Sequence, residues 1–143
     1  MLDAYLGCCS IEIKTEAVAV AAATLANGGV CPITGQEVFP ADVTRSVLSE
    51  TMTCGMYDQA GHFAVEVGLP AKSGVSGVLM IIVPNVFGFA TFSPRLNSKG
   101  NSVRGIEFCK RLVSCYRVHL FEPLRSLGSD RRDVRRRSFR SHD

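Results

Sequence analysis

The chain has 143 residues, 46% hydrophobic and 20% charged, which is ordinary for a globular domain with its own core and argues against a low-complexity chain. Its net charge of +3 is uneven, because residues 125–143 carry seven arginines and three aspartates while the rest is nearly neutral. The longest apolar stretch, Val78–Val83, is far short of the roughly 20 residues a membrane-spanning helix needs, so no membrane partner is expected.

Met1 runs directly into Leu2-Asp3-Ala4-Tyr5. No basic leader with an apolar core precedes the first element, so no secretory signal is expected and the start reads as the interior of a domain. Residues 2–9 are mostly apolar and read as the end of a helix. Thr15-Glu16 opens an alanine-rich helical run to Asn27, with Val18, Ala21, Ala22 and Leu25 on one face. So many small side chains predict a helix packed closely against other backbone. Gly28-Gly29 ends it, because glycine accepts the left-handed conformation that follows a last helical turn. A turn-rich loop, Cys31-Pro32-Ile33-Thr34-Gly35, comes next.

Pro40 suits a first helical turn, and Val43, Val47, Leu48 and Met52 share one face of a predicted helix over 40–53. Gly55 breaks it, and 61–67 reads as a short amphipathic helix. Residues 68–74 read as a glycine-bounded loop feeding a near-continuous apolar run, 75–83, with the composition of a strand covered on both faces. Pro84-Asn85 makes a turn and 87–92 a second strand, giving a β-hairpin. Asn101-Ser102 caps a last helix whose stripe is Val103, Ile106, Cys109, Leu112, Val113 and Tyr116. The pattern is α+β: helices plus a hairpin that belongs to a larger antiparallel sheet. A hairpin is rarely stable alone, so the free side of the 75–83 strand is expected to be an apolar edge awaiting a partner.

Six cysteines (Cys8, Cys9, Cys31, Cys54, Cys109 and Cys115) show no Cys-x-x-Cys pair, so no metal site is expected and buried reduced thiols are. Cys54, beside Gly55, is expected to be a small core residue. The basic tail, 123–143, has few apolar residues to bury and is expected to be disordered. Without aromatic interleaving or a recognisable module it is not expected to bind nucleic acid.

Lys72-Ser73-Gly74 before a buried strand is the most informative chemical feature, because backbone N–H groups at such a lip can face a developing oxyanion. Tyr57, at a helix break, is either a polar handle in a cleft or a core tyrosine with a satisfied hydroxyl. The chain holds no Ser-x-x-Lys dyad, no Gly-x-Ser-x-Gly elbow and no glycine-rich phosphate loop.

Five segments together resemble the glutaminase family: Leu25-Ala26-Asn27-Gly28-Gly29-x-Cys31-Pro32-Ile33-Thr34-Gly35; Cys54-Gly55-Met56-Tyr57-Asp58; residues 67–77; Val83-Pro84-Asn85; and Gly100-Asn101-Ser102-Val103-x-Gly105. They occur in family order and spacing over residues 1–122, and the cysteine-rich variant is more similar to the animal mitochondrial type than to the bacterial one. The resemblance implies a partial serine-β-lactamase/transpeptidase-like fold and hydrolysis of L-glutamine to L-glutamate and ammonia. A serine of a Ser-x-x-Lys motif would form an acyl-enzyme, with no cofactor. It implies that Tyr57 is catalytic, assisting proton transfer at that serine and touching substrate. It likewise implies that Tyr5 contacts the substrate and that the Val75 N–H helps form the oxyanion hole. The serine, its lysine and the residues holding the substrate's α-amino and carboxylate groups lie upstream in the family and are not in this chain. Residues 1–122 then read as the C-terminal half of a catalytic domain, inactive alone. The family further implies homo-oligomers and a mitochondrial location. The alternative is a non-catalytic truncated product that associates with full-length subunits.

Overall fold

The computed structural model describes residues 1–123 and 132–134. Five α-helices and three strands follow in chain order: α1 (Leu2–Cys9), α2 (Thr15–Ala26), α3 (Ala41–Cys54), a 3-10 turn (Tyr57–Gln59), α4 (Ala60–Glu66), β1 (Ala71–Ser73), β2 (Val78–Val83), β3 (Phe87–Phe92) and α5 (Val103–Cys115). The strands form one antiparallel sheet in the order β1-β2-β3.

The two faces of β2 explain the layering. Alternate residues of a strand point to opposite faces. Leu79, Ile81 and Val83 join a core with Met56, Phe63, Val67, Leu69, Ala71, Ile106, Cys109 and Val113, from the α4 and α5 side. Ile82 joins Ala22, Leu25 and Ala26 of α2 on the other. The predicted close backbone packing of α2 is borne out at Gly88 of β3, where an added Cβ would lie 2.1 Å from the Ala22 carbonyl carbon. Gly105 lets α5 approach side chains of the sheet instead, because a Cβ there would reach Thr91 Oγ1 at 3.0 Å and Leu79 Cδ2 at 3.2 Å. The Ser102 hydroxyl caps α5, accepting from the Gly105 N–H at 3.2 Å while donating to the Ser93 carbonyl at 2.9 Å. Asn101, read as part of that cap, instead sits fully buried beneath the 3-10 turn.

Several expectations need correction. The segment read as a loop contains β1, so the sheet has three strands and β2 is paired on both sides. Ala71, Lys72 and Ser73 face Ile81, Met80 and Leu79, which covers the edge expected to be exposed. Val75 lies in a turn closed by Gly74 N–H to Val78 O and Gly77 N–H to Gly74 O, both 2.9 Å, so the strand begins three residues later than its composition suggests. Thiols are not generally buried: only Cys31 and Cys109 are, while Cys8, Cys9, Cys54 and Cys115 are exposed, all six free. Cys54 ends α3 on the surface, its thiol donating to the Glu50 carbonyl at 3.1 Å. Val43 is also exposed, and α3 buries Thr44 and Thr51 instead.

Most of the basic tail lies outside the described residues. Of its described residues, 123 and 132–134, three touch the body: the Arg117 side chain donates to the Pro123 carbonyl at 2.9 Å, the Arg132 N–H donates to the Cys115 carbonyl at 3.2 Å and the Arg132 carbonyl accepts the Arg117 N–H at 2.9 Å, and Val134 packs on the α5 core. Among the described residues no helix is long and apolar enough to cross a membrane, and no cluster of three His, Cys, Asp or Glu is placed to hold a metal ion.

Candidate active site

The C-terminus of α3 and strand β1 meet at Gly55. Its carbonyl accepts the Ser73 N–H at 2.9 Å, and a Cβ on it would collide with the Ala71 carbonyl at 1.8 Å. This contact lays the 3-10 turn against β1. Tyr57, the first residue of that turn, has φ 52, a left-handed conformation that costs a non-glycine residue about 1 kcal/mol or more. The strained backbone sends the side chain back over β1, where its hydroxyl donates to the Ser73 carbonyl at 3.2 Å. Lys72 Nζ donates to the same carbonyl and stands 4.9 Å from the centre of the Tyr57 ring. An ammonium over an aromatic face is attracted by the ring quadrupole. Partial burial of Lys72 lowers its pKa, because the charged form loses water, and a Cys54 thiolate nearby opposes the shift.

Tyr57 is thus half-exposed at 40%, with a partnered hydroxyl. Ser73 is the opposite: its side chain is buried and its Oγ has no partner among the described residues. Val75 is 76% exposed at the tip of the β1–β2 turn, and among the described residues no acceptor pairs with its N–H. Tyr5 projects from α1, a helix that buries none of its residues. The Cys9 thiol one turn on, by hydrogen bond and charge, pushes the Tyr5 phenol upward, and Tyr57 adds a smaller electrostatic effect of the same sign. So Tyr57 and the Lys72-Ser73-Gly74 lip come into direct contact, while Tyr5 is linked to them only at longer range. An apolar groove of about 370 Å³ along α3, lined by Thr44, Leu48, Met52, Pro70, Pro84 and Leu120, contains none of these groups.

The reading of the sequence missed the carboxamides around the Tyr57 turn. The Asn101 Nδ2 donates to the Met56 carbonyl at 3.2 Å and to Gln59 Oε1 at 3.1 Å, and Asn97 Nδ2 donates to Gln59 Oε1 at 2.9 Å. Asn97 Oδ1 in turn accepts the Asn101 N–H at 3.1 Å. The only sequence signal was an Asn-Ser pair at a helix start, which reads equally well as a cap. Farther off, Cys31 is a nearly enclosed thiol whose pKa is lowered to about 7 by hydrogen bonds from the Thr34 hydroxyl and the Thr34 and Ile33 N–H groups.

What the arrangement offers chemically is a phenol and an ammonium sharing one backbone carbonyl, beside an unpaired N–H at a turn tip. Groups of these kinds can move a proton and receive developing negative charge, and among the described residues no activated nucleophile stands with them.

Comparison with known proteins bears on the family and the fold. The family model described as Glutaminase matches residues 1–121. The chain is 51% identical over 142 residues to putative glutaminase 2 of Caenorhabditis elegans, covering 99% of this chain and 24% of the relative. It is 53% identical over 124 residues to the mitochondrial liver-isoform glutaminase of Mus musculus, covering 87% and 21%. Its structure is similar to that of Bacillus subtilis glutaminase YbgJ in covalent complex with 5-oxo-L-norleucine, with TM-score 0.81, 36% identity, and coverage of 84% of this chain and 43% of that one. The chain therefore spans about a quarter of the first curated relative and less than half of the solved neighbour. The three-stranded antiparallel sheet with its helices is part of the serine-β-lactamase-like fold of these structures. With 121 of its residues matched by the family, this chain belongs to the glutaminase family.

Proposed function

We propose that this chain supplies one wall of a glutaminase active site and that the nucleophile comes from polypeptide outside it. The reaction is hydrolysis of L-glutamine to L-glutamate and ammonia through a serine acyl-enzyme. The observation that carries the reading is Tyr57: a strained tyrosine on the Ser73 carbonyl under the Lys72 ammonium. Strain of this kind collects where geometry serves function. In this reading Tyr57 relays the proton between the serine and the leaving amine, and Lys72 favours negative charge developing on the phenol oxygen. The Val75 N–H receives the oxyanion, and Tyr5 closes over the substrate. Residues 1–122 are a portion of the catalytic domain and 123–143 a separate basic tail. Mitochondrial residence and symmetric oligomers belong to the same proposal, the former supported by the mitochondrial mouse and rat relatives.

The test is an assay of glutamate release by the 143-residue chain, alone and mixed with a separately produced segment of a glutaminase catalytic domain bearing the Ser-x-x-Lys motif. The reading requires no turnover alone, turnover in the mixture, and its loss with Tyr57→Phe. Turnover by the chain alone would overturn it.

A second reading is a non-catalytic product that associates with full-length subunits. It is favoured by the exposure of Leu2, Leu6, Ile11, Ile13 and Phe92, an apolar set that single exposed residues do not explain. Co-elution with an active homologue, with altered activity, supports it; separate elution and unchanged activity dismiss it.

A further inference from the structure

The left-handed backbone of Tyr57 needs something to hold it, and the side chain of Tyr57 does not suffice. Its hydroxyl makes one bond at 3.2 Å, and its ring is partly open to solvent. Both flanks of the residue are held from below. The carbonyl of Met56, immediately before it, and the side chain of Gln59, two residues after it, accept the two N–H groups of one carboxamide, that of Asn101. Met56 and Asn101 are both essentially inaccessible, so these bonds form where water does not compete. The 97–101 segment is itself fixed: the Asn97 N–H donates to the Asn101 carbonyl at 2.8 Å, and Asn97 Oδ1 accepts both the Asn101 N–H and the Lys99 N–H. Gly100 lies under the Tyr57 ring, where a Cβ would be 3.7 Å from the nearest ring carbon. Asn101 Oδ1 is buried and has no partner among the described residues, an unsatisfied acceptor that an apolar replacement would have avoided.

We propose that Asn101 is a positioning residue for the reaction: its carboxamide brackets Tyr57 between Met56 and Gln59, fixes the left-handed backbone, and so aims the phenol at the Ser73 carbonyl under Lys72. The functional part of this rests on the reading of Tyr57 as a proton relay; the structural part does not. An aspartate at 101 has the same shape but presents an acceptor to two acceptors. Leucine at 59 removes the acceptor shared by Asn97 and Asn101 at a half-buried site. Glutamate at 59 keeps that acceptor.

The experiment uses the 143-residue chain with labelled tyrosine rings, the Tyr57 signals being identified by their loss in Tyr57→Phe. Through-space contacts from the Tyr57 ring to Lys72 and to Gly100 are measured by NMR. Asn101→Asp and Gln59→Leu lose both contacts while the fold signals of β2 and β3 persist, and Gln59→Glu keeps them. If Asn101→Asp fails to fold, Gln59→Leu decides. Contacts that survive in a folded Gln59→Leu or Asn101→Asp chain overturn the proposal. In the complemented enzyme Gln59→Leu lowers kcat by about a hundredfold, the order expected for a misplaced catalytic group, and leaves KM nearly unchanged. A rise in KM at constant kcat refutes positioning for catalysis. If Tyr57→Phe leaves kcat untouched, the relay reading fails, and the ring contacts alone judge Asn101.

Discussion

Gly88→Ala tests the packing that supports the site. A methyl at Gly88 would lie 2.1 Å from the Ala22 carbonyl carbon, 2.3 Å from the Ala23 nitrogen and 2.4 Å from the Ala22 oxygen. Carbon atoms in contact sit at about 3.5–4.0 Å, so α2 must move away by more than about 1 Å. All three obstructing atoms are backbone, so no rotamer change relieves the clash. Moving α2 also draws Leu25 and Ala26 off Ile82. Overpacking a core costs about 1–3 kcal/mol, and the rigidity here puts this substitution near the top of that range. The matched control is Gly61→Ala on α4, where nothing lies within 4 Å of the new methyl and helix propensity favours alanine by up to about 1 kcal/mol. Urea unfolding followed by circular dichroism should show Gly88→Ala losing about 3 kcal/mol and Gly61→Ala holding or gaining. A loss under about 0.5 kcal/mol for Gly88→Ala would refute the close backbone contact, since that is the size of an ordinary surface change.

Cys31 should ionise with a midpoint near 7, read as thiolate absorbance in the ultraviolet that is absent in Cys31→Ser. Because its folded pKa is depressed below the ordinary thiol value, its contribution to stability is present above the unfolded pKa and is lost as pH falls through about 7. Unfolding midpoints of the wild type should accordingly rise relative to Cys31→Ser between pH 7 and 9, the ordinary thiol value, and a parallel pair of curves would refute the assigned hydrogen bonds. Cys109, pushed up to about 12 by burial in the α5 core, should resist alkylation at pH 8 until the chain unfolds. Lys72→Met should change stability by less than about 1 kcal/mol, because relief of partial desolvation offsets a cation–π contact on a largely exposed group. The same change should abolish turnover in the complemented enzyme; a large stability loss instead would make Lys72 structural.

Long periodic elements were legible in the sequence: the alanine-rich helix, the stripe Ile106, Cys109 and Val113, and the strand Phe87–Phe92 all stand where periodicity and composition put them. β1 was not, because three residues between glycines carry no period and become a strand only through pairing with Leu79, Met80 and Ile81. Val75 was misplaced for the related reason that strand composition extends across a turn set by hydrogen bonds at Gly74 and Gly77. At the site, the resemblance to a family pointed to Tyr5, Tyr57 and Val75, but nothing in the sequence announces a left-handed tyrosine or the ammonium above it. The Gln59, Asn97 and Asn101 network joins residues some forty positions apart, a separation no local pattern reports.

The central claim is that this chain carries a wall of the site and not the nucleophile. The most direct measurement is intact mass after exposure to 6-diazo-5-oxo-L-norleucine, the compound that reacts with the Bacillus subtilis enzyme to give its covalent complex. The account predicts no glutamine-protectable adduct on the 143-residue chain, and in the complemented mixture an adduct on the other segment alone. A glutamine-protectable adduct on this chain would contradict it.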